Sequence, residues 1–171
     1  MQYTSAEANK LLRKLNNEKA ALEAREEKRR YFNAAVGEDV ESLRPEYDYA
    51  ATQKAIVELD GKIRRLKHAI NRFNLEHEVP GFNMTVDQML LYLPQMSARL
   101  RRLYEMKDRL PRERVEHFSY GSSNSNIIDY VYVNYDLKRV AEDYDALTDE
   151  IARAQTALDL LNAQETLEFD L

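Results

Sequence analysis

The chain has no cysteine. That excludes disulfides, zinc–thiolate sites and thiol chemistry, and it leaves the redox compartment open. It has only four glycines and four prolines in 171 residues. With 32% charged residues and frequent leucine and alanine, that scarcity points to long helices. No window approaches the ~20 apolar residues of a membrane span. The opening "MQYTSAEANKLLRKL" has no apolar stretch like that of a signal peptide, so the expected location is cytoplasmic. Net charge is -5, which sets up no global field toward nucleic acid or an anionic membrane.

Catalytic and metal-binding patterns are also missing. No nucleotide-binding glycine loop, nucleophile elbow or paired-carboxylate signature appears. The histidines are His68, His77 and His117. A di-iron bundle needs inward Glu-x-x-His pairs, and none of the three has a glutamate three residues before it. Glu76 and Glu78 flank His77 and make a metal site conceivable there. A solvated turn is the simpler reading. The expectation is therefore a chain without cofactor or metal, and not an enzyme.

What is present is heptad spacing. Four helices are expected, at about 5–32, 48–74, 86–109 and 136–163. The first has Ala8, Leu11, Leu15 and Leu22 on one stripe. In the second, Ile56, Leu59, Ile63, Leu66, Ile70 and Phe73 alternate three and four apart, the pattern of a coiled-coil seam. Val86, Met89, Leu93, Met96, Leu100 and Leu103 repeat it in the third, where Pro94 should kink the helix. Leu137, Val140, Tyr144, Leu147, Ile151, Ala154, Leu158 and Leu161 carry it through the fourth. "TSAE" and "TVDQ" read as capping boxes. Tyr47-Asp48 and Tyr135-Asp136 open the second and fourth helices 88 residues apart. That offset suggests a weak internal repeat, although shared heptads alone would supply some of the matches.

The expected build is all-α: one domain over residues 1–171, with a first helical hairpin at 1–78 and a second at 82–171. "LEHEVPGFNM" forms the turn between them. Two polar connectors, 33–47 and 116–134, exceed the ~2–8 residues usual in bundles. In the second, "VEHFSY" and "IIDYVYV" flank "GSSNS" and read as a β-hairpin at about 115–133. A two-stranded hairpin alone is marginal in water, so this one must pack on something.

Tyrosine is abundant, with eleven residues. Tyr47, Tyr49, Tyr120, Tyr130, Tyr132 and Tyr135 lie in or beside the connectors and are expected at one end of the molecule. They read either as rim packing or as a partner surface. Tyr130, Val131 and Tyr132, with Phe118 opposite, are the candidate contact residues. Lys62, Arg64, Arg65, Lys67 and Arg72 form a basic run, and the last helix and tail are acidic. Adjacent helices of opposite charge are the simpler reading, and a nucleic-acid groove is the alternative.

"AINRFN", "MTVDQMLLYL" and "VNYDLKRVAEDYDALTDEIARAQTALDLLN" together resemble the septicolysin-like family of bacterial helical-hairpin proteins. The likeness covers the last two-thirds of the chain and, loosely, the first helix. It implies long helical hairpins with a short β element before the last helix, and it offers no catalytic residue to transfer. Where relatives carry a tryptophan after the asparagine of the last helix, Ala163 follows Asn162, and the chain has no tryptophan.

The expected function is a structural, self-associating module, with a homo-oligomer as the main partner state, another protein as a further partner and no membrane. A nucleic-acid-binding accessory protein using the basic second and third helices is one alternative. A ligand or enzymatic site at the tyrosine-rich end is the other.

Overall fold

The computed structural model describes residues 2–114 and 129–170. Phe118, Tyr120, His117 and most of the expected hairpin lie outside the described residues. In chain order the elements are β1 (Gln2–Thr4), α1 (Ser5–Arg29), α2 (Val40–Leu43), α3 (Tyr49–Glu76), β2 (Glu78–Val79) and β3 (Met84–Thr85). They continue with α4 (Val86–Lys107), β4 (Arg112–Arg114), β5 (Tyr130–Tyr132), α5 (Leu137–Gln164) and β6 (Thr166–Glu168). The protein is thus mostly α. The chain divides into two compact units, one of residues 1–87 and 159–171 and one of residues 88–158.

In the first unit, Thr4 caps α1. Its hydroxyl accepts from the Glu7 amide at 3.2 Å, and the Glu7 carboxylate accepts from the Thr4 amide at 2.9 Å. This is the reciprocal box expected from "TSAE". Asp48 caps α3 by accepting from the Ala51 amide at 2.9 Å. α1 and α3 run antiparallel. Lys19 meets Asp60 at 2.7 Å, and two turns further along α1 Glu26 accepts from Gln53 at 2.7 Å. Ala8 and Leu15 of α1 and Leu66, Ile70 and Phe73 of α3 are buried. The other half of the α3 seam, Ile56, Leu59 and Ile63, is only half-buried.

The turn after α3 is built on backbone freedom. β2 and β3 pair Glu78 with Thr85 and Val79 with Met84. Between them Gly81 takes φ 83° and Asn83 φ 47°, the left-handed region that glycine and asparagine tolerate best. His77 stacks on Phe73 with ring centroids 3.9 Å apart, and its Nδ1 lies 3.0 Å from the Phe73 carbonyl.

The ends of the chain are tied together. β1 and β6 pair antiparallel, Gln2 with Glu168, Tyr3 with Leu167 and Thr4 with Thr166. The Ser5 amide donates to the Glu165 carbonyl at 3.3 Å. Leu167 and Phe169 are buried, and Tyr3 stacks on Phe169 at 5.1 Å. The tail was expected only as acidic charge. Its alternation, Leu167 and Phe169 inward with Glu168 and Asp170 exposed, is the period-two pattern of a half-buried strand.

In the second unit α4 and α5 also run antiparallel. Tyr92 hydrogen-bonds Glu150, and Lys107 reaches Asp145 at 3.9 Å and lies over the Tyr144 ring at 4.2 Å. Of the α5 seam, Val140, Leu147, Ile151, Ala154 and Leu158 are buried here and Leu161 in the first unit, while Leu137 and Tyr144 are half-buried. On α4 Met89 is buried, as is Val86 at its start in the first unit, and Leu93, Met96, Leu100 and Leu103 are half-exposed. α4 continues through Pro94, whose missing N–H leaves the Leu90 carbonyl without its helical donor.

The first connector is not wholly irregular. Asp39 caps α2, and Arg44 makes two bonds to Glu41 at 2.7 and 2.9 Å. Those bonds hold the Glu41 carboxyl below its usual range. Both groups are exposed, so the pair adds little to stability.

Candidate functional site

The short ribbon before α5 exposes apolar surface in the second unit. Arg112 pairs with Tyr132, Glu113 with Val131 and Arg114 with Tyr130. The Val133 amide donates to the Pro111 carbonyl at 3.2 Å. Antiparallel ladders alternate bonded and non-bonded pairs. Glu113–Val131 is therefore a bonded pair, and the amide groups of Tyr130 and Tyr132 point away from β4. Residues directly opposite share a face. Tyr130, Tyr132, Arg112 and Arg114 thus lie on one face, and Val131 and Glu113 on the other.

This corrects the expected pairing. The described ladder starts at Arg112, three residues before the expected strand at 115. Arg112 to Arg114 lie opposite Tyr130 to Tyr132, where Phe118 was expected. "RER" carries no β-former, so nothing local in the sequence marks it as a strand. The pairing is imposed from across the ribbon, where Tyr130 to Tyr132 supply the pleated, aromatic partner.

The tyrosine–arginine face is open to solvent. Tyr130 is 42% and Tyr132 62% exposed, and Val131 on the reverse face is 58% exposed. The Arg112 guanidinium lies 5.2 Å above the Tyr130 ring, and the two tyrosine rings are 6.3 Å apart. Beside the ribbon a depression of 470 Å³ is lined by Arg109, Leu110, Glu113, Val131 and Tyr135, among others. Arg109 and Glu113 pair across its rim at 3.3 Å.

The remaining tyrosine candidates separate into roles. Tyr135 is half-buried and donates to the Met106 carbonyl at 2.9 Å, which ties the start of α5 to the end of α4. Asp136, next to it, caps α5 by accepting from the Lys138 and Arg139 amides at 2.9 and 3.2 Å. Tyr47-Asp48 repeats this pattern in the first unit. Tyr47 donates to Glu26 at 2.7 Å on the preceding helix while Asp48 caps α3. In both units the Tyr-Asp pair is a clamp and a cap. Tyr49 is exposed on the first turn of α3.

Two tyrosines titrate late. The hydrogen bond to Glu26, then burial, push Tyr47 up to about 12. The hydrogen bond to Glu150 pushes Tyr92 in the same direction. In both, the hydroxyl bonds a carboxylate, which disfavours its ionisation.

The basic run on α3 does not form a stripe. Arg64, Arg65, Lys67 and Arg72 are exposed and Lys62 is half-buried. Arg72 pairs with Glu76 at 3.7 Å. Arg64 and Lys67 flank an open hollow with Val57, Asp60 and Ile63. Among the described residues no three His, Asp or Glu side chains are grouped to hold a metal ion, and no helix is long and apolar enough to cross a membrane.

Fold and surface together define a mostly helical protein whose exposed apolar features, among the described residues, include a tyrosine–arginine ribbon and two half-covered heptad seams. The chain resembles the crystal structure of a functionally unknown conserved protein from Corynebacterium diphtheriae, with a TM-score of 0.63 at 16% identity over 98% of this chain and 100% of that one. At that identity the likeness carries the fold alone. No family model and no curated protein matches the chain.

Proposed function

We propose that the protein is a structural module that associates with copies of itself through its heptad seams and the tyrosine-rich ribbon. The observation that carries this reading is the contrast between the seams. α5 buries most of its stripe, all but Leu137 and Tyr144, whereas Ile56, Leu59 and Ile63 on α3 and Leu93, Met96, Leu100 and Leu103 on α4 stay half-exposed. A regular apolar stripe is stabilising only when a neighbour covers it. On this reading each unit is an antiparallel helical hairpin, α1 with α3 and α4 with α5, and copies complete the seams. The role is structural rather than catalytic, the setting is cytoplasmic, and the protein is kin to the septicolysin-like family.

Ile63→Asp tests the reading. Asp60, Arg64 and Lys67 surround this half-buried position, so the charge stays solvated in a separated chain. The expected result is a folded, helical protein with a smaller sedimentation coefficient than the native chain. An unchanged sedimentation coefficient would contradict assembly through the α3 seam.

A further inference from the structure

The ribbon has two edges of different chemistry. The outer edge of β4 reads Arg112, Glu113, Arg114 and follows Pro111. Charged side chains and proline are the devices that keep an edge from pairing with other strands. The outer edge of β5 reads Tyr130, Val131, Tyr132, with a single charge, Asp129, just before it. Among the described residues no strand pairs with it. Its outward N–H and C=O groups belong to Tyr130 and Tyr132, because those of Val131 face Glu113.

We propose that β5 is an assembly edge, on which two copies pair β5 with β5, antiparallel and centred on Val131, to make a four-stranded sheet about a two-fold axis. The proposal rests on the self-association inferred above and adds the edge and the register. A two-fold interface must be self-complementary, and this register is. Tyr130 of each copy faces Tyr132 of the other, and these are the residues whose amides point outward. Their pairing satisfies all four outward N–H groups.

The side chains agree with the register. On one face the four tyrosines meet as two cross-strand aromatic pairs, each strengthening the sheet by ~0.2–1 kcal/mol. On the other face Val131 meets Val131, which covers two side chains each 58% exposed in the single chain. The arginines stay on the outer strands. At ~4.8 Å per strand, Arg112 and Arg114 of one copy lie ~14 Å from those of the other, beyond the ~8 Å screening length of physiological salt. A one-residue shift would set inward-facing amides against outward ones and lose the ladder.

The absence of cysteine makes the test clean. Val131 is exposed, so Val131→Cys should leave the fold intact. In this register the two Val131 residues form a non-bonded pair, with Cα atoms ~4.5 Å apart, inside the range a disulfide spans. With oxidised glutathione as oxidant, Val131→Cys is expected to form a covalent dimer at least about tenfold faster than Val36→Cys, an exposed control in the first connector. Adding Tyr132→Lys, which places a charge on the open edge, should remove that advantage. A native chain that is oligomeric by light scattering, with Val131→Cys linking no faster than Val36→Cys, would overturn this register and leave association to the helices. A chain monomeric at every concentration would overturn both proposals and leave the edge to a strand of a different protein.

Discussion

Ser5 is the buried polar side chain left without a partner among the described residues. It is 1% exposed, and among the described residues its hydroxyl has no hydrogen-bond partner. A buried unpaired hydroxyl costs ~1–3 kcal/mol. Ser5→Ala removes that cost and improves helix propensity on the first turn of α1. The expected outcome is a melting temperature higher by ~2–4 °C per kcal/mol gained. A lower melting temperature would mean the hydroxyl is satisfied. Tyr47 makes a different prediction at the same scale. Its folded pKa is raised above the ordinary 10.0 to about 12, so its stabilising effect is complete below pH 10 and is lost as pH rises toward 12. Thermal melts between pH 9 and 12 should show the native protein losing more stability than Tyr47→Phe. Parallel losses would show that the bond to Glu26 does not couple to ionisation.

At the scale of elements, the helices were legible and the strands mostly were not. α1, α3, α4 and α5 lie within three residues of the expected spans, because caps and three-four spacing are local signals. Thr4, Asp48 and Asp136 mark three helix starts by their chemistry alone. β1 and β6 pair across 166 residues with three residues each. Such a contact is decided by which apolar side chains reach the same hollow, and no window of sequence contains both partners. β4 is charged and takes its conformation from β5. The candidate surface was half legible. "YVY" marks itself as a strand, but the arginines interleaved with it in space lie about 20 residues away in sequence. The seams repeat the lesson, since equal spacing does not mean equal burial. Ile151 is 8% exposed, whereas Ile63 is half-buried. Ile151→Asp should therefore cost ~3–5 kcal/mol, as an uncompensated buried charge does, and unfold much of the helix seen by circular dichroism at 37 °C. An Ile151→Asp protein that melts like the native one would place the α5 seam at the surface.

For the whole molecule, charge and apolar surface suggest different partners, and the proposed function rests on apolar surface. Basic residues on α3 surround the helix instead of lining one side, and the net charge is -5. Binding to a polyanion would be driven by counterion release and would fall steeply with salt. At near-physiological salt the expected result is no retention of a single- or double-stranded nucleic-acid probe. Tight retention, lost in Arg64→Glu/Arg65→Glu, would make the basic helix the working surface instead. The central claim is that one chain leaves its seams and ribbon edge for another copy to cover. Multi-angle light scattering of the native chain over a dilution series measures this directly. Self-association requires a mass at an integer multiple of 20.1 kDa, two or more, that persists into the micromolar range. A mass of 20.1 kDa at every concentration would contradict it.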